Sequence, residues 1–309
     1  MTSEAERASL LEVSVVVASF SDEETLSRCL QSLTVEAVAA EVIVATGAPA
    51  DVAARLESQW TSVRFCRGAP GVSVFELRAL GVTQARGRLV ALIEDHVTVE
   101  RGWLQALLAA HRAGHLVVGG PVDNGLDSRA YDWALYFCEY GYHMPPGPDG
   151  EVAALCGANV AYDRDLLMGC EPIWRAGLYE NEVHDAVRGS GHRLYLCGEA
   201  RVQAHLRKTL TEAMAHLLSG GRHFGRYRGS RCSWAGRLFW RLVAPAVPLV
   251  LLGRLTLCIA TRRPRRLARL VQGVHYLLCL LAAWSAGEAL GYWAPTLSRE
   301  LAEEGLPGV

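Results

Sequence analysis

The stretch ARGRLVALIEDHVTVERGWL, residues 85–104, decides the fold. Leu89 to Ile93 is a continuous apolar run bounded by polar residues, the pattern of a strand buried on both faces of a parallel sheet. Glu94, Asp95 and His96 follow at once, and a helical pattern runs from Arg101 to Arg112. Polar groups are thus concentrated at the carboxyl end of a buried strand, where open α/β sheets bind ligands. In extended backbone, alternate side chains share a face, so Glu94 and His96 should converge and Asp95 should point away. A carboxylate with an imidazole suits a divalent cation, manganese better than calcium, with magnesium a further choice. The same spacing also suits a strand end capped by solvated polar groups.

Outward from this stretch the pattern repeats. Val13 to Ala18 is an apolar strand, and Ser21 with Glu24 has capping-box spacing ahead of Leu26, Leu30 and Leu33 at helical intervals. Strands are expected at 41–45, 63–66 and 115–118, with helices near 52–59 and 72–84. This alternation predicts an α/β fold with a mainly parallel, Rossmann-type, three-layer sheet. The crevice residues are then Ser19 to Asp22, Thr46 to Asp51, and Glu94 to His96. Beyond Gly120 the chain turns aromatic and irregular, from Tyr131 to Tyr142, and MPPGPDG at 144–150 reads as a loop. No GxGxxG follows the first strand and no Walker-type loop occurs, which sets dehydrogenases aside.

The formal net charge of -1 and pI of about 6.8 give no bulk attraction to nucleic acid, and no nucleic-acid partner is expected. The nine cysteines are scattered without a CxxC pair, so they read as reduced thiols. The polar start, MTSEAERASL, lacks a secretory profile; residues 1–11 are expected to be flexible and the bulk of the chain cytoplasmic.

Taken in order, these segments resemble family 2 glycosyltransferases. SVVVASFSDEETLSRCLQSL at 14–33 is similar to that family's first strand and helix. RALGVTQARG at 78–87 resembles its R-N-x-G-x-x-x-A-x-G stretch, and the opening segment its A-x-G, strand, D-x-D pattern with Glu94 and His96 in the aspartate places. CGANVAYDRDLL at 156–167 looks like its glycine-rich acceptor segment, and LYENEVHDAVRGSGHRLYL at 178–196 like its acidic site at a helix start. The likeness covers roughly residues 12–230 and implies a GT-A-like domain over 12–232. It implies that Glu180, or else Glu182, takes the acceptor proton as general base, Glu180 being favoured by its distance from Gly191. Glu94, His96 and His205 would be the metal set. Ser19, Phe20, Asp22, Arg78, Asp95 and Arg226 would meet a nucleotide-sugar donor, with Arg86 a further candidate for its diphosphate. Gly157, Ala158, Asn159 and Trp174 would line the acceptor. Each acidic, glycine or lone-histidine feature also has a purely structural reading, as helix-terminal charge, turn or core residue. The chain departs from the family at ATGAPAD, 45–51, where an acidic D-D-G-S segment usually reads the base, and at Ala79.

From 233 to 309 the composition becomes apolar, with LVAPAVPLVLLG at 242–253 and LVQGVHYLLCLLAAWSAG at 270–287 flanking TRRPRRLAR at 261–269. The expectation is a membrane-associated helical hairpin and tail, either crossing the bilayer or lying on its cytoplasmic face. The functional expectation is an inverting, metal-dependent transferase moving a sugar to a hydroxyl of a glycan or lipid-linked acceptor. A catalytically impaired, transferase-like membrane protein is the alternative, because the base-reading segment is altered.

Overall fold

The computed structural model describes residues 11–34, 36 and 40–293. The expected flexible N-terminus, apart from Leu11, and the end of the tail therefore lie outside the described residues. Two compact units are distinguished, one of residues up to 123 with 143–205, the other of 124–142 with residues from 206 onward. This division differs from the boundary expected at 232, since the helices 130–140 and 210–230 group with the apolar tail.

The first unit is an α/β domain on an eight-stranded sheet. Its strands, in chain order, are β1 (Val13–Ser19), β2 (Glu41–Thr46), β3 (Val63–Arg67), β4 (Leu89–Glu94), β6 (Val117–Gly119), β8 (Gly150–Val152), β9 (Asn159–Asp163) and β10 (Leu194–Leu196). Their spatial order is β3-β2-β1-β4-β9-β6-β10-β8. From β3 to β4 all pairing is parallel, as the sequence predicts. Beyond β4 the sheet is mixed, because β9 runs antiparallel between β4 and β6. Residues 159–163 are short and follow a glycine-rich segment, so nothing in their pattern announces a central strand. The remaining strands β5 (Val97–Val99), β7 (Val122–Asn124) and β11 (Val202–Ala204) form a small sheet in the order β5-β11-β7.

All of β1 and β4 is buried, so helices cover both faces of the sheet and the three-layer expectation holds. Its helices are α1 (Glu23–Leu33), α2 (Ala50–Gln59), α3 (Val74–Gln84), α4 (Trp103–Arg112), α6 (Arg164–Gly169), α7 (Glu171–Trp174) and α8 (Glu180–Gly189). On one face Val16, Ile43, Leu92, Val160 and Tyr162 pack with Trp174, Val183 and Val187. Each large apolar side chain buried there contributes roughly 1.5–3 kcal/mol. α3 sits so close to β1 that a Cβ on Gly81 would lie 2.3 Å from Val16 Cγ1. Gly87, likewise, would put a Cβ 2.4 Å from the Ser14 nitrogen. α1 is capped by Asp22, whose Oδ1 accepts from Thr25 N at 2.8 Å, one residue later than the Ser21 capping box expected. The N-terminus of α4 is met by Glu36, which accepts from Gly102 N at 3.0 Å and Leu104 N at 2.8 Å.

The second unit is helical among the described residues: α5 (Ala130–Tyr140), α9 (Leu210–Ser230), α10 (Trp234–Val243), α11 (Val247–Arg262) and α12 (Leu267–Gly291). The aromatic stretch expected to be irregular is α5, where buried Trp133, Tyr136, Phe137 and Tyr140 fall at helical spacing. α9 and α12 meet through glycines: Cβ atoms on Gly221 and Gly225 would lie 2.1 and 2.2 Å from the carbonyls of Trp284 and Glu288. Gly287 and Gly291 answer from the other side, 2.0 and 2.2 Å from the carbonyls of Leu218 and Arg222. Glu288, buried in α12, accepts from Arg228 Nη1 at 3.2 Å and Tyr292 OH at 2.6 Å. Two helical segments, Trp234–Arg262 and Pro264–Gly291, are long and apolar enough to cross a membrane. Trp234 is 76 % and Leu242 73 % exposed, and Leu249, Leu257 and Val271 are exposed as well.

Candidate active site

Parallel register brings Ala18 beside Glu94 and Ser19 beside Thr46, so the carboxyl ends of β1, β2 and β4 form one edge. β9 starts at that edge, with Asn159 opposite Ile93, which delivers Gly157 and Ala158 to it. Glu94 closes β4, but Asp95 and His96 form a turn into β5 and are not extended strand. Glu94 and His96 converge as expected, though through a turn and not by strand alternation, and Asp95 stays beside them: His96 Nδ1 lies 3.6 Å from Glu94 Oε2 and 3.8 Å from Asp95 Oδ1.

Asp95 is fully buried. Its Oδ2 accepts from the backbone N–H of Phe20 at 2.7 Å and of Ser21 at 2.6 Å, and its Oδ1 from the Ser21 hydroxyl at 2.8 Å. The carboxylate thus fixes the turn after β1. Phe20 lies with its ring edge-on to His96, centroids 5.8 Å apart. Asp22, expected beside the donor, is the cap of α1.

The centre of the site is Arg78, 4 % exposed on α3. Its Nη2 donates to Glu94 Oε1 and its Nη1 to Glu180 Oε2 at 2.8 Å, so one guanidinium bridges the two acids read from the sequence. Burial works against its charge, yet the carboxylates of Glu180 and Glu94 more than offset this, and its pKa stands above the ordinary arginine value. Its Nε is buried without a hydrogen-bond partner. Gly157 lies over the bridge: a Cβ there would come 2.8 Å from both Nη atoms and 2.9 Å from Glu180 Cδ. Glu180 is the first residue of α8, and Leu178 N donates to Phe75 O at 2.8 Å, tying the start of α8 to the helix that carries Arg78. Glu182 shares the first turn but is not among the partners of Arg78.

Several expected residues take other roles. The Asn159 amide is fully buried, accepting from Trp103 Nε1 at 2.9 Å and donating to Pro121 O at 3.2 Å and Ala200 O at 2.8 Å. It ties these segments together and is closed off from solvent, so it does not face an acceptor. Trp174 is core, donating to Leu167 O at 2.7 Å. Arg86 is exposed at the opposite edge, its N–H accepted by Ser14 Oγ at 3.0 Å near the start of β1. Arg226 belongs to the helical unit, on α9. Asp51 pairs with Arg55 at 3.1 Å along α2.

For a divalent cation the fit is partial. Glu94 Oε2 and His96 Nδ1 make a two-donor oxygen and nitrogen seat. His205 Nε2 is 2.9 Å from the Thr98 hydroxyl, while the His205 backbone N–H donates to the backbone carbonyl of His96 at 2.8 Å. No group of three or more His, Cys, Asp or Glu is gathered for a metal among the described residues. The three-residue set expected from the sequence is therefore not assembled; a cation here would need the phosphates of its substrate to complete its shell. All nine cysteines are free, and burial pushes the Cys156 thiol, beside this cluster, well up.

Sequence reasoning placed Ser21 in the crevice but missed Phe75. Phe75 and Arg78 are three residues apart on a helix, with the guanidinium 5.8 Å from the ring centroid, a spacing that could have been read.

The family model described as Glycosyl transferase family 2 matches residues 14–169, half of the chain. The chain belongs to glycosyl transferase family 2. That match spans β1 through α6 and so includes Asp95, Arg78, Glu94 and Gly157. The α/β sheet and crevice accord with the GT-A-like architecture implied by the family 2 resemblance. No curated protein matches the chain.

Proposed function

We propose that this family 2 glycosyl transferase is an inverting enzyme that moves a hexosyl group from a nucleoside diphosphate sugar to a hydroxyl of a lipid-linked or cell-envelope glycan acceptor. The observation that carries this reading is the bridge of Glu94, Arg78 and Glu180 under Gly157 at the carboxyl edge of the sheet. It puts an acid and a permanent cation side by side, the two groups a displacement at an anomeric carbon needs. The acceptor oxygen attacks the anomeric carbon as its proton passes to Glu180. The bond from that carbon to the diphosphate oxygen breaks, and the nucleoside diphosphate leaves with the electron pair. Attack opposite the leaving group inverts the anomeric configuration.

Arg78 faces the charge that develops on the departing diphosphate, and a guanidinium matches phosphate oxygens in a fork. Asp95 keeps the turn at Phe20 and Ser21 in place for the donor. Glu94 and His96 would hold a divalent ion, Mn²⁺ in preference to Mg²⁺, which when bound supplies further positive charge to the leaving group. Attachment to a membrane through the two apolar helical segments, with the transferase unit in the cytoplasm, accords with their length and exposed apolar side chains.

Turnover of a panel of nucleotide sugars, with and without Mn²⁺, in wild type, Glu94→Ala and Glu180→Ala tests the reading. Loss of turnover in both variants is expected. Wild type inert toward every donor, with or without acceptor glycans, would favour the non-catalytic alternative, to which a 45–51 segment with Asp51 as its one acid already points.

A further inference from the structure

Arg78 poses a question that the transfer reaction alone does not answer. Glu180 serves best as a base when its negative charge is not shared, yet Oε2 accepts a charged hydrogen bond from Arg78 Nη1. That oxygen has a lone pair committed to the guanidinium and faces it in place of an incoming hydroxyl until the bond is exchanged. The same guanidinium is held by Glu94 on its other nitrogen and has little room to move toward the backbone, because Gly157 closes over it. Its Nε, buried and unpartnered, retains an unused donor.

We propose that Arg78 is a charge gate coupling donor binding to base release: the donor's diphosphate takes the guanidinium from Glu180, and only then is Glu180 free to accept the acceptor proton. This rests on the reading of Glu180 as base. The diphosphate carries more negative charge than the carboxylate and accepts a bidentate fork, so it competes for the same nitrogens. Glu94 stays on Nη2 and keeps the guanidinium in place during the exchange. Until the donor is seated the base is masked, which favours ordered binding with the donor first.

The gate has a consequence that a simple binding role lacks. If Glu180 competes with diphosphate for Arg78, removing its charge must tighten anion binding. Binding of inorganic pyrophosphate, UDP and GDP to the full chain in detergent is measured by calorimetry in EDTA. The variants are Glu180→Gln, Glu182→Gln, Arg78→Lys and the double variant Glu180→Gln with Arg78→Lys. Glu180→Gln should bind pyrophosphate about tenfold more tightly than wild type, equivalent to about 1.4 kcal/mol. Glu182→Gln should give little of that gain. The gain should also be lost in the Arg78→Lys background, because an ammonium cannot fork two partners while keeping the overall charge.

An equal gain in Glu182→Gln, or a gain that persists with lysine at 78, would mean general charge relief and would overturn the gate. So would a Glu180→Gln variant that binds no tighter, or pyrophosphate that binds neither protein. Thermal unfolding of Glu180→Gln with a midpoint like wild type excludes misfolding as the cause of a null result. Should pyrophosphate follow the expected pattern while no nucleotide binds, the gate stands and the transferase reading falls.

Discussion

Protonating His184 should loosen the helix that carries the candidate base. His184 is buried on α8, one turn beyond Glu180, with Nε2 2.9 Å from the Tyr162 hydroxyl and Nδ1 without a partner. Burial pulls its pKa down from 6.5 to about 4; Glu180 and Asp185 pull it up in part, while Arg188 and His143 add to the depression. In the unfolded chain the imidazole regains its ordinary affinity, so between these two values the unfolded state binds more protons than the folded one. Stability is therefore complete above about pH 6.5 and is lost as pH falls toward 4. A difference of roughly 2.5 units corresponds to about 3 kcal/mol over that window. Urea unfolding at a series of pH values, wild type against His184→Gln, measures it, since glutamine keeps a hydrogen-bonding partner for Tyr162 but cannot titrate. The wild-type stability should fall below the variant's progressively by about that amount. Parallel pH dependences in the two proteins would refute the assignment of a neutral, buried His184.

Other outcomes follow from the same geometry. Asp95→Ala removes three hydrogen bonds to Phe20 and Ser21 and should lower stability by about 1–3 kcal/mol, because water reaches the exposed turn; it should raise the donor KM more than it lowers kcat. Gly157→Ala should fold yet lose most turnover, since the new methyl meets both Arg78 Nη atoms and Glu180; unchanged kcat would remove Gly157 from the site. Trp234→Ser with Leu242→Ser should weaken partition into phospholipid vesicles, measured by flotation, and leave the far-ultraviolet circular dichroism unchanged. Glu288→Ala strands Arg228 and Tyr292 and should lower the melting midpoint, corresponding to about 1–3 kcal/mol.

The parallel half of the sheet was legible because buried strands with both faces covered read as unbroken apolar runs, as at 13–18 and 89–93. β9 was not: Asn159 to Asp163 carries its strand identity in pairing with β4 and β6, a long-range fact. Glu94 and Glu180 were found as acids by position, but their connection through Arg78 joins residues far apart in sequence, on α3, β4 and α8. Asp95 and Asn159 look like ligand residues, since buried polar side chains and catalytic ones draw on the same chemistry. What separates them is where their hydrogen bonds go, and only folded coordinates supply that. The aromatic helix α5 was a different failure, for its spacing of 133, 136, 137 and 140 is helical in the sequence itself.

The interlocked glycines of α9 and α12 carry a mechanical implication. At Gly221, Gly225, Gly287 and Gly291 backbone rests on backbone along that seam, with no side chain of their own to flex or change rotamer. A rigid seam of this kind transmits displacement without slack, so any tilt or depth a bilayer imposes on the apolar rod is passed directly to the arginine-bearing rod beside it. Were the apolar segments seated in a bilayer, its thickness would bear on where Arg222 and Arg226 stand.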